Sequence, residues 1–275
     1  MSYPAPRPRG EPLLVFEELT FGMQKGEFVS VIGHSGCGKS TVLGVIAGLT
    51  RATSGYVFVA GREVTRPGLG RGVIFQNHSL LPWKTALGNV EFSVRARYPE
   101  WKRDRVRAHS LDYLKRVGLE GAVDRRPAQL SGGMRQRVGI ARAFAIEPQI
   151  LLMDEPFGAL DALTRGSLQD QLVEMCARAG QTVFMITHDV DEAIYLSDRI
   201  LLMTPGPRAS IAHDLAVELP RPRRRAELAD SPRYLELRRS VLEFLADHRH
   251  ELAPAPLSSP APSPALTERD APAGA

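Results

Sequence analysis

The chain has 275 residues, 43% of them hydrophobic, enough to bury a full core in one large α/β domain. Its net charge of +4 is too small to mark a nucleic-acid binder, and no nucleic-acid partner is expected. Two cysteines, Cys37 and Cys176, make no disulfide framework, and no apolar stretch approaches the roughly 18–20 residues that span a bilayer.

Residues 1–12 are rich in proline and arginine, lack the apolar run of a secretory signal, and are expected to be disordered. Leu13–Phe16 and Leu19–Phe21 then read as a strand approaching Glu27–Ile32, a β-branched apolar run that reads as a buried strand. Next comes Gly33-His34-Ser35-Gly36-Cys37-Gly38-Lys39-Ser40, which fits G-x-x-x-x-G-K-[ST], a loop that cradles nucleotide phosphates. Thr41–Ala47 places apolar residues at helical spacing, so the order is strand, glycine loop, helix. A helix N-terminus offers unpaired N–H groups and a positive dipole end to a phosphate. Gly33, Gly36 and Gly38 are expected to adopt φ > 0 and turn N–H groups inward. Lys39 is placed to reach the β- and γ-phosphates, and the Ser40 hydroxyl to ligate Mg²⁺. The binding set runs from Gly33 through Thr41. Cys37 sits at a helix N-terminus beside Lys39, where its pKa is open to lowering; alternatively it is a small residue tolerated in the loop.

Gly55–Glu63 alternates and predicts an antiparallel hairpin strand, and Gly72–Gln76 a short buried strand ending in a polar residue. Residues 85–147 change to helical character. Val106, Ser110, Tyr113, Leu114 and Val117 share one face, opposite the solvated Arg105, Arg107, Lys115 and Arg116. Within Leu130-Ser131-Gly132-Gly133-Met134, Ser131 is placed to cap a helix that stops before Pro148. Ile150–Met153 reads as another buried strand, delivering Asp154 and Glu155 at the sheet edge where ligands collect. A helix from Asp161 to Arg178 and a strand from Thr182 to Thr187 lead to His188. Arg199–Met203 and Ser210–Leu219 complete the sheet. The run Arg221, Arg223, Arg224, Arg225 reads as a solvated, Pro-flanked linker within 221–252, which ends in a helix starting near Pro232. Residues 253–275 are Pro/Ala/Ser-rich and are expected to be disordered.

After a phosphate loop, Asp154 is positioned to hold Mg²⁺ and Glu155 to orient or deprotonate an attacking water. Here the chain resembles the ATP-binding-cassette ATPases, over about 13–220. GHSGCGKS (33–40) matches the Walker A loop, Gln76 the Q-loop, LSGGM (130–134) the signature, LLMDE (151–155) Walker B, GALD (158–161) the D-loop, and His188 the switch histidine. The resemblance implies a P-loop core of mostly parallel sheet with an antiparallel β edge and a helical subdomain over 85–147. It implies a head-to-tail dimer, of two copies or with a paralogue. Two ATP molecules are sandwiched there between one Walker A loop and Ser131, Gly132 and Gly133 of the other subunit. It gives His188 the γ-phosphate and Gln76 both Mg²⁺ and the lytic water. His78–Trp83, after Gln76, corresponds to the surface that receives a membrane permease; packing of Leu80 and Trp83 into the core is the alternative. FQNHSLLPW (75–83), DEPFGALDALTR (154–165), THDVDEA (187–193) and GPRASI (206–211) look like the nitrate/sulfonate/taurine importer group, nearest the nitrate type. That implies ATP hydrolysis driving uptake of a small anion, at the cytoplasmic face of the cell membrane, with an extracytoplasmic solute-binding protein acting upstream.

The chain departs from the family in two places. Before the strand at 13–21 the family has an extra strand and an aromatic residue that stacks on adenine. Only Tyr3 and Phe16 stand near that position here. Met134 also replaces the usual Gln, with little effect expected. Two rival readings are a soluble cassette ATPase of DNA repair or translation and a non-hydrolysing nucleotide-binding regulator. The short span from Lys39 to Ser131 without sustained heptads opposes a repair-type coiled coil, and the single cassette opposes the translation type. Intact Lys39, Asp154, Glu155 and His188 oppose the regulator.

Overall fold

The computed structural model describes residues 1–3 and 13–248; the disorder expected over 4–12 and 253–275 lies outside the described residues. The elements in chain order are β1 (Ser2–Tyr3), β2 (Leu13–Leu14), β3 (Phe28–Gly33), α1 (Lys39–Ala47), β4 (Phe58–Val59), β5 (Arg62–Glu63) and β6 (Arg71–Ile74). Then come α2 (Ala86–Arg97), α3 (Arg103–Arg116), α4 (Gly132–Phe144), β7 (Ile150–Asp154), α5 (Ala162–Ala179), β8 (Thr182–Ile186) and α6 (Val190–Leu196). The remainder is β9 (Arg199–Met203), β10 (Ile211–Ala216), α7 (Arg225–Leu228) and α8 (Pro232–Asp247).

The apolar runs become the middle of a six-stranded sheet of order β10-β9-β3-β8-β7-β6, parallel except for β10, which lies antiparallel on β9. Successive side chains of a strand point to opposite faces, and here both faces are covered. Phe28 and Ile32 of β3, Leu151 and Met153 of β7 and Val183 and Met185 of β8 join the core beneath α2 to α6 and α8. Their alternates Val29, Val31, Leu152, Phe184 and Ile186 pack against Val42, Leu43 and Ile46 of α1. Burial on both sides explains why these strands read as continuous apolar runs. Helices α2, α3 and α4 pack on one another, with Val106, Ser110, Tyr113 and Leu114 of α3 buried. Thr85 caps α2 and Ser131 caps α4.

The structure corrects the sequence in two peripheral places. Disorder expected from residue 1 gives way to β1, paired antiparallel with β2. The terminal amine of Met1 donates to Phe16 O at 2.7 Å, and Ser2 N donates to Thr53 Oγ1 at 3.0 Å. The strand expected over 13–21 shortens to β2 because the following backbone bonds to the 208–209 turn: Ala209 N donates to Val15 O, and Phe16 bridges Ala209.

The second correction is the basic run. Arg223 is buried and Nη1 donates to the carbonyls of Ile194, Tyr195 and Ser197 at 2.9, 3.0 and 2.6 Å; Nη2 donates to Val217 and Leu219, both at 3.3 Å. The last carbonyls of a helix have no intrahelical donor, and Arg223 supplies one to the end of α6. Burial lowers its pKa to about 10. Arg221 donates to Asp198 Oδ1 and Leu196 O, and Arg225 stacks 3.8 Å over the Tyr195 ring. Arg223, helped by Arg221, is thus a clamp on α6, while Arg224 is solvated as expected and, among the described residues, its side chain pairs only with the exposed Glu227.

Candidate functional site

Strand order places β8 between β3 and β7, so the loops leaving their C-terminal ends converge. The phosphate loop fills the gap between β3 and α1. Gly36 (φ 83°) and Gly38 (φ 98°) take the left-handed conformation that side chains rarely adopt, and Gly38 forms the N-cap of α1. Gly33 does not share it. Glycine is needed there because a Cβ would stand 2.7 Å from Met203 O and 3.1 Å from Cys37 Sγ. No side chain caps α1, which leaves its first-turn N–H groups to an anion. Lys39 is buried; Nζ donates to Gly33 O at 2.6 Å and His34 O at 2.8 Å, holding the ammonium inside the loop. Cys37 is fully buried, and burial raises its thiol pKa against the opposing pull of Lys39. Of the two readings, the structure favours the small residue tolerated in the loop, and Cys37 serves in packing.

At the end of β7, Asp154 Oδ1 accepts from Ser40 Oγ at 3.2 Å. Burial, helped by the Glu155 charge, raises the Asp154 pKa, while the Ser40 bond and Lys39 act the other way. Two hard oxygen donors thus meet beside the phosphate loop. Among the described residues no group of three His, Cys, Asp or Glu side chains forms a metal cage by itself. That donor set fits Mg²⁺, which takes one or two protein oxygens and completes its shell with phosphates and water.

Glu155 has φ 45°, a left-handed conformation that costs a non-glycine residue about 1–3 kcal/mol. Its N–H donates to Ile186 O at 3.0 Å, which helps fix it there. Oε2 accepts from Gln76 Nε2 at 3.2 Å and lies 3.4 Å from His188 Nδ1. The imidazole is 65% exposed and so is open to a ligand. Gln76, Glu155, His188, Ser40, Asp154 and Lys39 are brought to one edge of the sheet. Ser131, Gly132 and Gly133 are not joined to them. Ser131 is exposed and Oγ accepts from Met134 N at 3.2 Å; among the described residues no hydrogen bond links it to its own phosphate loop.

Sequence reasoning missed what holds the loop after Gln76. His78 and Ser79 both take left-handed φ, 62° and 46°. Arg142 of α4 donates to Ser79 O at 2.6 Å and His78 O at 3.1 Å, and His78 Nδ1 donates to Gln136 Oε1 on the same helix. Burial lowers the Arg142 pKa. The helix that starts at Ser131 therefore grips the Gln76 loop, and nothing local in the sequence signals it. Further along, buried Asn89 shapes residues 81–85: Oδ1 accepts from Leu81 N at 2.8 Å and Nδ2 donates to Thr85 O at 3.0 Å. Trp83 emerges from that turn 68% exposed, so it does not pack into the core, whereas Leu80 packs partly against it. Phe16 is unavailable to a nucleotide base, being buried; a Cβ on Gly38 would lie 3.3 Å from its ring. The Tyr3 side chain lies outside the described residues.

The sequence model of the ABC transporter family matches residues 16–158. The nitrate import ATP-binding protein NrtD of Synechococcus elongatus is 48% identical over 240 residues, 87% of each chain. The bicarbonate transport ATP-binding protein CmpD of Synechocystis sp. is 47% identical over 234 residues, covering 85% of this chain and 83% of that one. NrtC of Synechococcus elongatus, a nitrate import ATP-binding protein, is 49% identical over 242 residues, and the chain spans 37% of its length. Among solved structures, the ATP-binding cassette MJ0796, a dimer in a post-hydrolysis state bound to ADP and Pi, superposes with TM-score 0.70 at 31% identity, covering 79% of this chain and 96% of that one. The chain belongs to the ABC transporter family: it is an ATP-binding cassette whose hydrolysis of ATP is coupled to transport.

Proposed function

We propose that this cassette powers the uptake of a small oxyanion, nitrate first and bicarbonate next, through a separate membrane permease. The observation that carries the reading is likeness to the nitrate and bicarbonate cassettes along most of their length, combined with a full set of hydrolytic residues. Gly33 to Thr41 would cradle the triphosphate with backbone N–H groups, and Lys39 would leave its loop carbonyls for the β- and γ-phosphates. Ser40 and Asp154 would hold Mg²⁺, with Gln76 as a further oxygen ligand. The ion's chemistry is neutralisation of charge on the transferring phosphoryl group. Glu155 would take a proton from the attacking water. Its oxygen already faces Gln76 and His188, so the base is oriented before the water arrives.

Ser131, Gly132 and Gly133, an exposed helix N-terminus with no phosphate in its own chain, would complete the site of a second subunit, another copy or a paralogue. Trp83 supports a permease-facing surface: an exposed indole on a pinned turn is a ready anchor for a partner. A groove of about 480 Å³ lined by Lys84, Glu91, Phe92 and Arg95 adjoins it in sequence. The protein would then sit at the membrane periphery, fed by a solute-binding protein outside; no helix among the described residues is long and apolar enough to cross a membrane.

Uptake of labelled nitrate and bicarbonate, measured in cells carrying or lacking this chain, tests the assignment. Loss of nitrate uptake restored by the wild-type chain but not by Lys39→Ala supports it; unchanged uptake of both anions overturns it.

A further inference from the structure

His34 has two jobs in the phosphate loop. Its carbonyl accepts from Lys39 Nζ at 2.8 Å, and its ring Nε2 donates to Leu245 O at 2.9 Å. Leu245 lies in the last turn of α8, where carbonyls take donors from outside the helix, and among the described residues His34 is such a donor. The preceding carbonyl, Phe244 O, is taken by His248, whose Nδ1 donates to it at 2.9 Å. The phosphate loop thus caps the end of a helix more than two hundred residues away in sequence.

The other end of α8 is fastened to the switch region. Tyr234 Oη and Arg238 Nε both donate to Asp191 Oδ1 at 2.7 Å. Asp191 stands in the first turn of α6, three residues after His188. Between these ties, Leu237, Val241 and Phe244 are buried in the core, and His213 of β10 meets the Phe244 ring edge-on at 5.5 Å. Tyr234 to Leu245 is about 17 Å of helix at ~1.5 Å per residue. A packed helix of that length behaves as a rod.

We propose that His34 is a positioning residue, and that α8 is a strap through which the phosphate loop and the helix behind His188 are held in register. The residue whose carbonyl holds Lys39 is the one whose ring holds the strap. Movement of Lys39 from His34 O toward a phosphate is therefore felt at Leu245 and, through α8, at Asp191. This rests on the reading that Lys39 meets nucleotide phosphates.

The test combines ATPase kinetics, equilibrium binding of Mg·ADP and amide hydrogen exchange on the full chain. In wild type, Mg·ADP slows exchange in α1 and in the last turn of α8. In His34→Ala, protection of α1 remains, protection of the α8 turn is lost, the Kd for Mg·ADP changes less than about threefold and kcat falls about tenfold. His34→Gln, whose Nε2–H reaches the same carbonyl, restores both. Asp191→Ala, which removes the acceptor of both Tyr234 and Arg238, lowers kcat comparably, and combining it with His34→Ala adds little, whereas independent sites add. Full α8 protection in His34→Ala, no rescue by Gln, or additive losses in the double variant overturn the strap. Failure of Mg·ADP to protect α1 in wild type instead overturns the nucleotide reading beneath it.

Discussion

His188 Nδ1 stands 3.4 Å from the same Glu155 oxygen that accepts from Gln76 Nε2 at 3.2 Å. One carboxylate oxygen is thus held by groups from the loops after β6 and β8, while the Glu155 backbone is locked at φ 45° after β7. Glu155→Gln keeps the shape and removes the carboxylate proposed as the base. Steady-state ATPase activity is expected to fall about 10²–10⁴-fold, and turnover near wild type would remove Glu155 from that role.

Lys39 holds the phosphate loop from inside. Lys39→Met removes the charge that would meet the phosphates and leaves Gly33 O and His34 O without their donor. Charged hydrogen bonds contribute about 1.5–3 kcal/mol each, so the Kd for ATP is expected to rise on the order of tenfold to a hundredfold. Titration with a fluorescent nucleotide measures it.

These two sites were legible in the sequence because their geometry is local. Glycines at 36 and 38 dictate the loop, and an apolar run ending in Asp154-Glu155 dictates a buried strand with carboxylates at its edge. What stayed hidden is non-local. Arg223 looked solvated because its partners are backbone carbonyls at 194–197 and 217–219, which carry no residue-type signal. The grip of Arg142 on the Gln76 loop and of His34 on α8 depends likewise on main-chain oxygens that only the fold assembles. β1 was missed because it has two residues beside a proline-rich stretch, too few for any periodicity.

Arg223→Met tests the clamp on α6. Five carbonyls lose a shared donor, and each buried unpaired acceptor costs about 1–3 kcal/mol. A loss of at least about 3 kcal/mol is expected in urea unfolding. A change below ~1 kcal/mol would show that the carbonyls find other donors.

Alkaline pH should weaken the fold through three tyrosines. Burial, reinforced by Glu147, Asp170 and Asp191 respectively, pushes Tyr113, Tyr195 and Tyr234 up to about 12. A folded pKa above the unfolded value of about 10 means that the native state keeps its proton longer, so stability is full below pH ~10 and is lost as pH rises toward 12. Arg223, lowered to about 10, acts in the opposite sense over that range. Tyr234→Phe is expected to flatten the fall in Tm between pH 9.5 and 12; an unaltered slope would exclude Tyr234 as a contributor.

Trp83→Ala separates folding from coupling. An indole 68% exposed contributes little to stability, so Tm and basal ATPase activity are expected to hold, within about 0.5 kcal/mol for folding. Uptake in cells should fall about tenfold or more, as loss of an interface anchor does. Normal uptake would move the permease contact elsewhere.

On the proposed function, Ser131 of one subunit completes the phosphate site of another. Sedimentation of Glu155→Gln with saturating Mg·ATP tests it most directly. The expected result is a species of twice the 30.2 kDa chain mass, formed only with ATP and abolished by adding Ser131→Arg. A chain that stays monomeric with ATP bound, or a dimer indifferent to Ser131→Arg, would contradict it.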